Sequence, residues 1–213
     1  MPETRKRSGA YLPHWTKEGG IYAVQFRLAD SIPQEKREQL ELEIQDIKHS
    51  SEEMRGITSA LARLRLLDLQ RESVQKFLRN GYGDCFLKQD SIAAVVAGAL
   101  QFFEGKRYRL LTWCIMPNHV HVVVAPLPGE NLSRIVQSWK TFSAKEANKL
   151  LQRSGTFWMR ETYDHLIRND NDLLHAIEYT WSNSDLAGMR GWKWRWRIAD
   201  ADLDTLLSGL EAR

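Results

Sequence analysis

Residues 112–126, TWCIMPNHVHVVVAP, set His119 and His121 one position apart inside an apolar, β-branched run. In a strand, alternate side chains point to opposite faces, so both imidazoles project from one face while Val120 and Val122 point into a core. Their Cβ atoms would lie about 6–7 Å apart by the strand rise, which lets one divalent cation sit between the rings. A metal site needs rigid placement, and the flanking valines supply it. The competing reading is a pair of partly exposed polar side chains on an open sheet face. A third ligand would decide between them. The other histidines, His14, His49, His165 and His175, show no close ligand spacing to the pair, and a carboxylate or an amide from the final helix is equally open as the third ligand. His175, Tyr179 and Asn183 recur every fourth residue, which stacks them on one helix face. Taken alone, Tyr179 and Asn183 read as a half-buried aromatic and a surface amide.

The elements that must hold these residues can be read from periodicity. GGIYAVQFRLADSIP, 19–33, alternates apolar and polar positions and predicts a strand that stops at Pro33. Residues 34–80 are rich in Glu, Gln, Lys, Arg and Leu and read as one or two long helices forming an exposed insertion. DSIAAVVAGALQFFEG, 90–105, predicts a capped apolar helix. KRYRLLTWCIM and HVHVVVAPL predict a β-hairpin turning tightly at Pro117 and Asn118. In 131–155, Leu132, Ile135, Val136, Trp139 and Phe142 fall at helical spacing, with Gly155 marking the end. A short strand around 163–168 and a helix over 170–186, closed by Gly188, complete the order. This succession predicts an α+β fold: a small antiparallel sheet with helices on one face. The chain reads as a single domain over 1–213, with 34–80 inserted within it.

Composition narrows the class. At 213 residues, with 43% hydrophobic and 10% aromatic residues, the chain has the make-up of a globular protein. No apolar run approaches the roughly 20 residues of a membrane span. The start, MPETRKRSGAYLPHW, has no signal-peptide core, so a cytoplasmic protein is expected. Cys85 and Cys114 are too isolated for a metal-type pair and read as small buried residues. The net charge of +3 is modest, but basic residues cluster at Arg5, Lys6 and Arg7 and in GWKWRWRIAD, 191–200. There Trp194 alternates with Lys193, Arg195 and Arg197, offering stacking surfaces beside phosphate-binding charge, as single-stranded nucleic acid requires. An edge strand with a tryptophan face and a solvated basic face accounts for the same pattern.

MPNHVHVVV, SWKTFSAKEAN, GTFWMRETYDHLIR and HAIEYTWSNSDLAGM together resemble the single-tyrosine HUH transposases, within them the REP-associated tyrosine transposases (RAYTs). YLPHWTKEGGIYAVQFRLADSIP and RYRLLTWCIMPNHVHV are similar to the same branch, so the resemblance covers most of residues 11–190. It implies a ferredoxin-like antiparallel sheet of HUH type. It implies His119 and His121 as metal ligands, Tyr179 as the catalytic nucleophile and Asn183 as third ligand, with Mg²⁺ or Mn²⁺ as the cofactor. The implied activity is cleavage and rejoining of single-stranded DNA through a 5′-phosphotyrosine, and the implied partner is a REP-type hairpin beside a short guide sequence. Lys140 and Arg168 become candidate phosphate contacts; an ordinary solvated face is the other reading of both. Two positions depart from the family pattern. Ser184 stands where many relatives have Pro, which bears on how the helix ends, and Met159 stands where many have Gln, which bears on a DNA contact. Relatives include dimers whose tyrosine reaches across to the partner's metal and monomers acting in cis. The RAYT branch implies a monomer, with a homodimer as the alternative.

Other classes compete. A non-catalytic module of the same fold could bind structured nucleic acid with relict histidines, and it would be indifferent to chelation. A plasmid-type HUH nickase fits less well, given one candidate tyrosine and no helicase segment. A zinc hydrolase lacks a general-base carboxylate at motif spacing from the histidines.

Overall fold

The computed structural model describes residues 5–8, 13–36, 38, 42 and 74–211. Most of the expected helical block 34–80 lies outside the described residues; within it, 34–36 and 74–79 are helical. Strands β1 (Arg5–Ser8) and β2 (Pro13–Thr16) form a separate antiparallel pair. The main sheet holds β3 (Tyr22–Arg27), β4 (Tyr108–Ile115), β5 (His119–Pro126), β6 (Tyr163–Leu166) and β7 (Arg195–Arg197). Its order is β6-β3-β5-β4-β7, and every pairing is antiparallel. After the segment 74–79, the described residues form α1 (Asp90–Gln101), α2 (Leu132–Leu150), α3 (Asp170–Leu186) and α4 (Asp200–Glu211). The α+β class and the antiparallel sheet expected from the sequence are both present.

The helices do not share one face, which corrects the sequence-based expectation. Val120, Val122 and Val124 of β5 pack with Val24 and Phe26 of β3 against Ile92, Val96 and Leu100 of α1 and Ile135 and Trp139 of α2. The intervening Val123 and Ala125 pack on the opposite face with Leu173, Ala176 and Ile177 of α3 and Leu203 of α4. Strand β5 is therefore apolar on both sides. A run such as VVVA is what a doubly covered strand requires, and periodicity alone does not say which helix covers which side.

A bulge in β4 sets the parity of that strand. Leu110 opposes Val124 while Thr112 opposes Val123, so Leu111 is an extra residue in the ladder. Leu110, Trp113 and Ile115 consequently face α1 and α2, whereas Leu111 joins the α3 side. Beyond the bulge Cys114 falls opposite His121. On the α2 side, buried aromatic tips are satisfied in series. Trp139 Nε1 donates to the Tyr108 hydroxyl at 2.8 Å, which donates to Leu100 O at 2.7 Å. Phe142, expected in this stripe, is 53% exposed instead, and Ser143 and Ala147 continue the buried face.

Helix α3 starts at Asn169, whose side chain accepts the Asp172 N–H. Asp172 in turn accepts from the Arg168 N–H and from His165 Nε2 on β6. At the other end, Arg195 of β7 reaches Asp185, Ser184 Oγ and the Trp181 carbonyl, and its guanidinium lies 4.4 Å from the Trp181 ring centroid. The helix that carries Tyr179 is thus tied to both edge strands of the sheet. Gly188, at φ 74°, closes the chain just past it with its N–H on Asp185 O.

Candidate functional site

His119 and His121 lie on the α3 face of β5 and are 1% and 5% exposed, so they are no open-face pair. Their ring centroids are 4.8 Å apart at 79°. The Tyr179 ring stands edge-on to His121, 5.7 Å between centroids. Asn183, one turn further along α3, is 2% exposed. It precedes Ser184, a neighbour of Cys114, and Cys114 sits opposite His121. One face of α3 therefore crosses the histidine pair between residues 179 and 184. Within one chain the fold sets the rings of His119, His121 and Tyr179 against one another in series, and Asn183 is buried one turn further along the helix that carries Tyr179.

The tautomer of His119 is determined by its neighbour. Asn118 Nδ2 donates to Tyr82 O, which turns Asn118 Oδ1 toward the ring, and His119 Nδ1–H donates to it at 2.7 Å. That leaves Nε2 as a bare lone pair, buried and without a hydrogen-bond partner among the described residues. Burial, followed by the charges of His121 and Arg79, holds the His119 imidazole well below its ordinary pKa, hence neutral. Asn183 Nδ2 is likewise buried and unpartnered among the described residues. A bare imidazole nitrogen can receive a cation, whereas an amide Nδ2 can only donate to an acceptor, leaving its Oδ1 as the atom able to ligate. No third His, Cys, Asp or Glu joins the pair among the described residues, so an amide oxygen is the donor on hand, and Asn183 can supply one. The donor set fits a divalent ion.

Three further residues border the site, and sequence reasoning passed over all three. Gln25 pairs with His121 across the β3–β5 ladder. Gln75, from the helical segment 74–79, contacts the Tyr179 hydroxyl. Asn118, which spacing marks only as a turn residue, buttresses His119. His175 stacks on Tyr179 at 6.3 Å and 24°, while His165 is a structural partner of Asp172.

The candidate DNA-contact residues divide. Lys193 pairs with Asp90, Arg195 with Asp185, and Arg197 with Glu178 and Asp200. Trp194 Nε1 also donates to Asp90 and Trp192 Nε1 to Ile115 O. The basic, tryptophan-rich run is thus an edge strand whose described cations face carboxylates of the same chain. Lys140 Nζ donates to Met159 O, Arg160 O and Thr162 Oγ1; its burial brings its pKa down to about 8. It binds α2 to the segment leading into β6. Met159 acts here through its backbone, its N–H also meeting Arg27 O, so the departure from Gln leaves these bonds intact. Arg168 is exposed beside the N-terminus of α3. Arg5, Lys6 and Arg7 form β1, paired with Pro13–Thr16.

Residues 86–169 match a family model described as Transposase IS200 like, a span that holds both histidines and stops short of Tyr179. A curated protein of Haemophilus influenzae, named a REP-associated tyrosine transposase, is 28% identical over 93 residues, covering 39% of this chain. Over that stretch the chain is similar to a REP-associated tyrosine transposase. The alignment spans about half of that relative, 53% of its length. A solved structure described as a REP-associated tyrosine transposase bound to a REP hairpin superposes with a TM-score of 0.52. It covers 88% of this chain and 82% of the other, at 13% identity, which is a likeness of fold.

Proposed function

We propose that this chain cleaves and rejoins single-stranded DNA at hairpin-forming palindromes of REP type, with Tyr179 as nucleophile. The observation that carries this reading is the Tyr179 ring set against His121, whose ring in turn lies against that of His119 on the same buried sheet face. The RAYT-like sequence and fold support the choice of DNA, and the relative solved with a REP hairpin supports the choice of hairpin. His119 through Nε2, His121 and the Asn183 carbonyl would hold Mg²⁺ or Mn²⁺. Such an ion, when bound, supplies Lewis-acid polarisation of a non-bridging phosphate oxygen and orients the scissile bond.

The chain's own residues do the remainder. The Tyr179 hydroxyl gives up its proton to solvent and its oxygen attacks phosphorus. The Oη–P bond forms as the bond from phosphorus to the 3′ oxygen breaks, and the departing strand leaves as a 3′-hydroxyl after taking a proton. Because the phosphodiester energy is kept in the 5′-phosphotyrosine, a second 3′-hydroxyl can reverse the step without ATP. Neutral His119, fixed in one tautomer by Asn118, keeps its lone pair aimed into the site throughout. With His121 and Tyr179 in contact within one chain, a monomer acting in cis is the arrangement we propose. No helix of the described residues is long and apolar enough to cross a membrane.

The test uses single-stranded oligonucleotides carrying palindromes from beside the gene, with Mn²⁺. The wild-type chain should form a covalent adduct stable to denaturation, and EDTA should prevent it. Tyr179→Phe should form none while binding the hairpin within about twofold of wild type. An adduct in the Phe variant would overturn the assignment of the nucleophile.

A further inference from the structure

The segment 74–79 ends the region 34–80, to which the sequence assigned no chemistry, yet it forms a wall of the site. Leu78 is buried to 2% and anchors the segment. The loop that follows is tied to the hairpin turn by Asn118 Nδ2 on Tyr82 O and by the Leu87 N–H on Pro117 O. One turn before Arg79, Gln75 Oε1 lies 3.4 Å from the Tyr179 hydroxyl. Gln75 Nε2 donates to Gln25 Oε1 at 2.5 Å, and Gln25 is the residue opposite His121 in the sheet. Two amides therefore link the tyrosine hydroxyl to the strand next to the histidines.

We infer that Gln75 is a positioning residue for Tyr179: delivered by the end of the 34–80 region, it holds the phenol's oxygen on the histidine side of α3. The inference rests on the reading of Tyr179 as nucleophile. At 3.4 Å the contact is longer than the 2.7–2.8 Å usual for O–H···O bonds, so it has slack to tighten when DNA closes the site. The Gln75–Gln25 bond is short and keeps the Gln75 amide from turning away. Gln25 Nε2 is buried and unpartnered among the described residues, so the Gln25 amide can turn over and donate to a carboxylate placed at position 75. A glutamate there would accept the phenol's hydrogen bond as the amide does, whereas a leucine would fill the space and accept nothing.

The experiment measures single-turnover adduct formation on the palindromic oligonucleotide with Mn²⁺, beside hairpin affinity and melting temperature. Gln75→Leu should slow adduct formation about tenfold at saturating DNA, with affinity within twofold and an unchanged melting temperature. Gln75→Glu should restore the rate to within about threefold of wild type. An unchanged rate in Gln75→Leu, or equal losses of rate and affinity, would overturn the role of Gln75 alone. Failure of the wild-type chain to form any adduct, or an adduct in Tyr179→Phe, would instead remove the reading beneath it.

Discussion

Asn118 decides which nitrogen of His119 can meet a cation. Its carbonyl takes the Nδ1 proton because its amide is already committed to Tyr82 O. Asn118→Ala should weaken Mn²⁺ binding about 10–100-fold, as loss of such supporting bonds does elsewhere; isothermal calorimetry on the purified chain checks it, and unchanged affinity would show that something else holds the ring. Local periods put the two histidines on one strand face and Tyr179 and Asn183 on one helix stripe, but the roles given to Tyr179 and Asn183 came from the family resemblance, since the period alone reads them as a half-buried aromatic and a surface amide. Gln75 lies 50 residues from Gln25 and 104 from Tyr179, and no local period reports a meeting across that separation. The same blindness affected Lys193 and Arg197. Their carboxylate partners Asp90 and Glu178 stand on α1 and α3, so charge that looked available for phosphate is engaged within the fold.

For helices and strands, the informative case is the N-terminus of α3. Burial pushes the Asp172 carboxyl up, but the bonds from His165 and the Arg168 N–H outweigh it and leave the group below its ordinary pKa. A carboxylate depressed in the folded state contributes stability that is present above its unfolded value of about 3.9 and lost as pH falls through the lower folded value. Asp172→Asn should therefore cost about 1 kcal/mol near neutrality, the scale of a lost helix cap, and the gap should narrow as the pH falls below the unfolded value of about 3.9. Urea melts at pH 7 and pH 3 measure it; a gap independent of pH would place the effect elsewhere. Spacing and caps gave the element types between 90 and 186, with 170–186 reproduced at both ends, while the helix expected to run to Gly155 stops at Leu150 and β1, β2 and α4 were not foreseen. The distribution of helices over the sheet did not follow, because β5 is apolar on both sides and the β4 bulge reverses parity at Leu111.

Metal binding should register in the stability of the entire chain. An ion at a hundred times its dissociation constant adds about 2.7 kcal/mol to a protein that binds it only when folded. For a chain of this size that is a rise of roughly 5–10 °C in melting temperature with Mn²⁺. The double variant His119→Ala and His121→Ala should show none of it, and EDTA should reverse it in the wild type. A wild-type chain that melts identically with and without Mn²⁺ would argue for a binding module. The ties at the two ends of α3 carry a mechanical consequence of their own. With Asp172 gripped from β6 and Asp185 from β7, the helix spans the sheet like a beam fixed at both supports, and lifting Tyr179 away would mean releasing both. Under the proposed reading the phenol stays put, and the travel needed for strand exchange falls to the incoming 3′ end of the DNA.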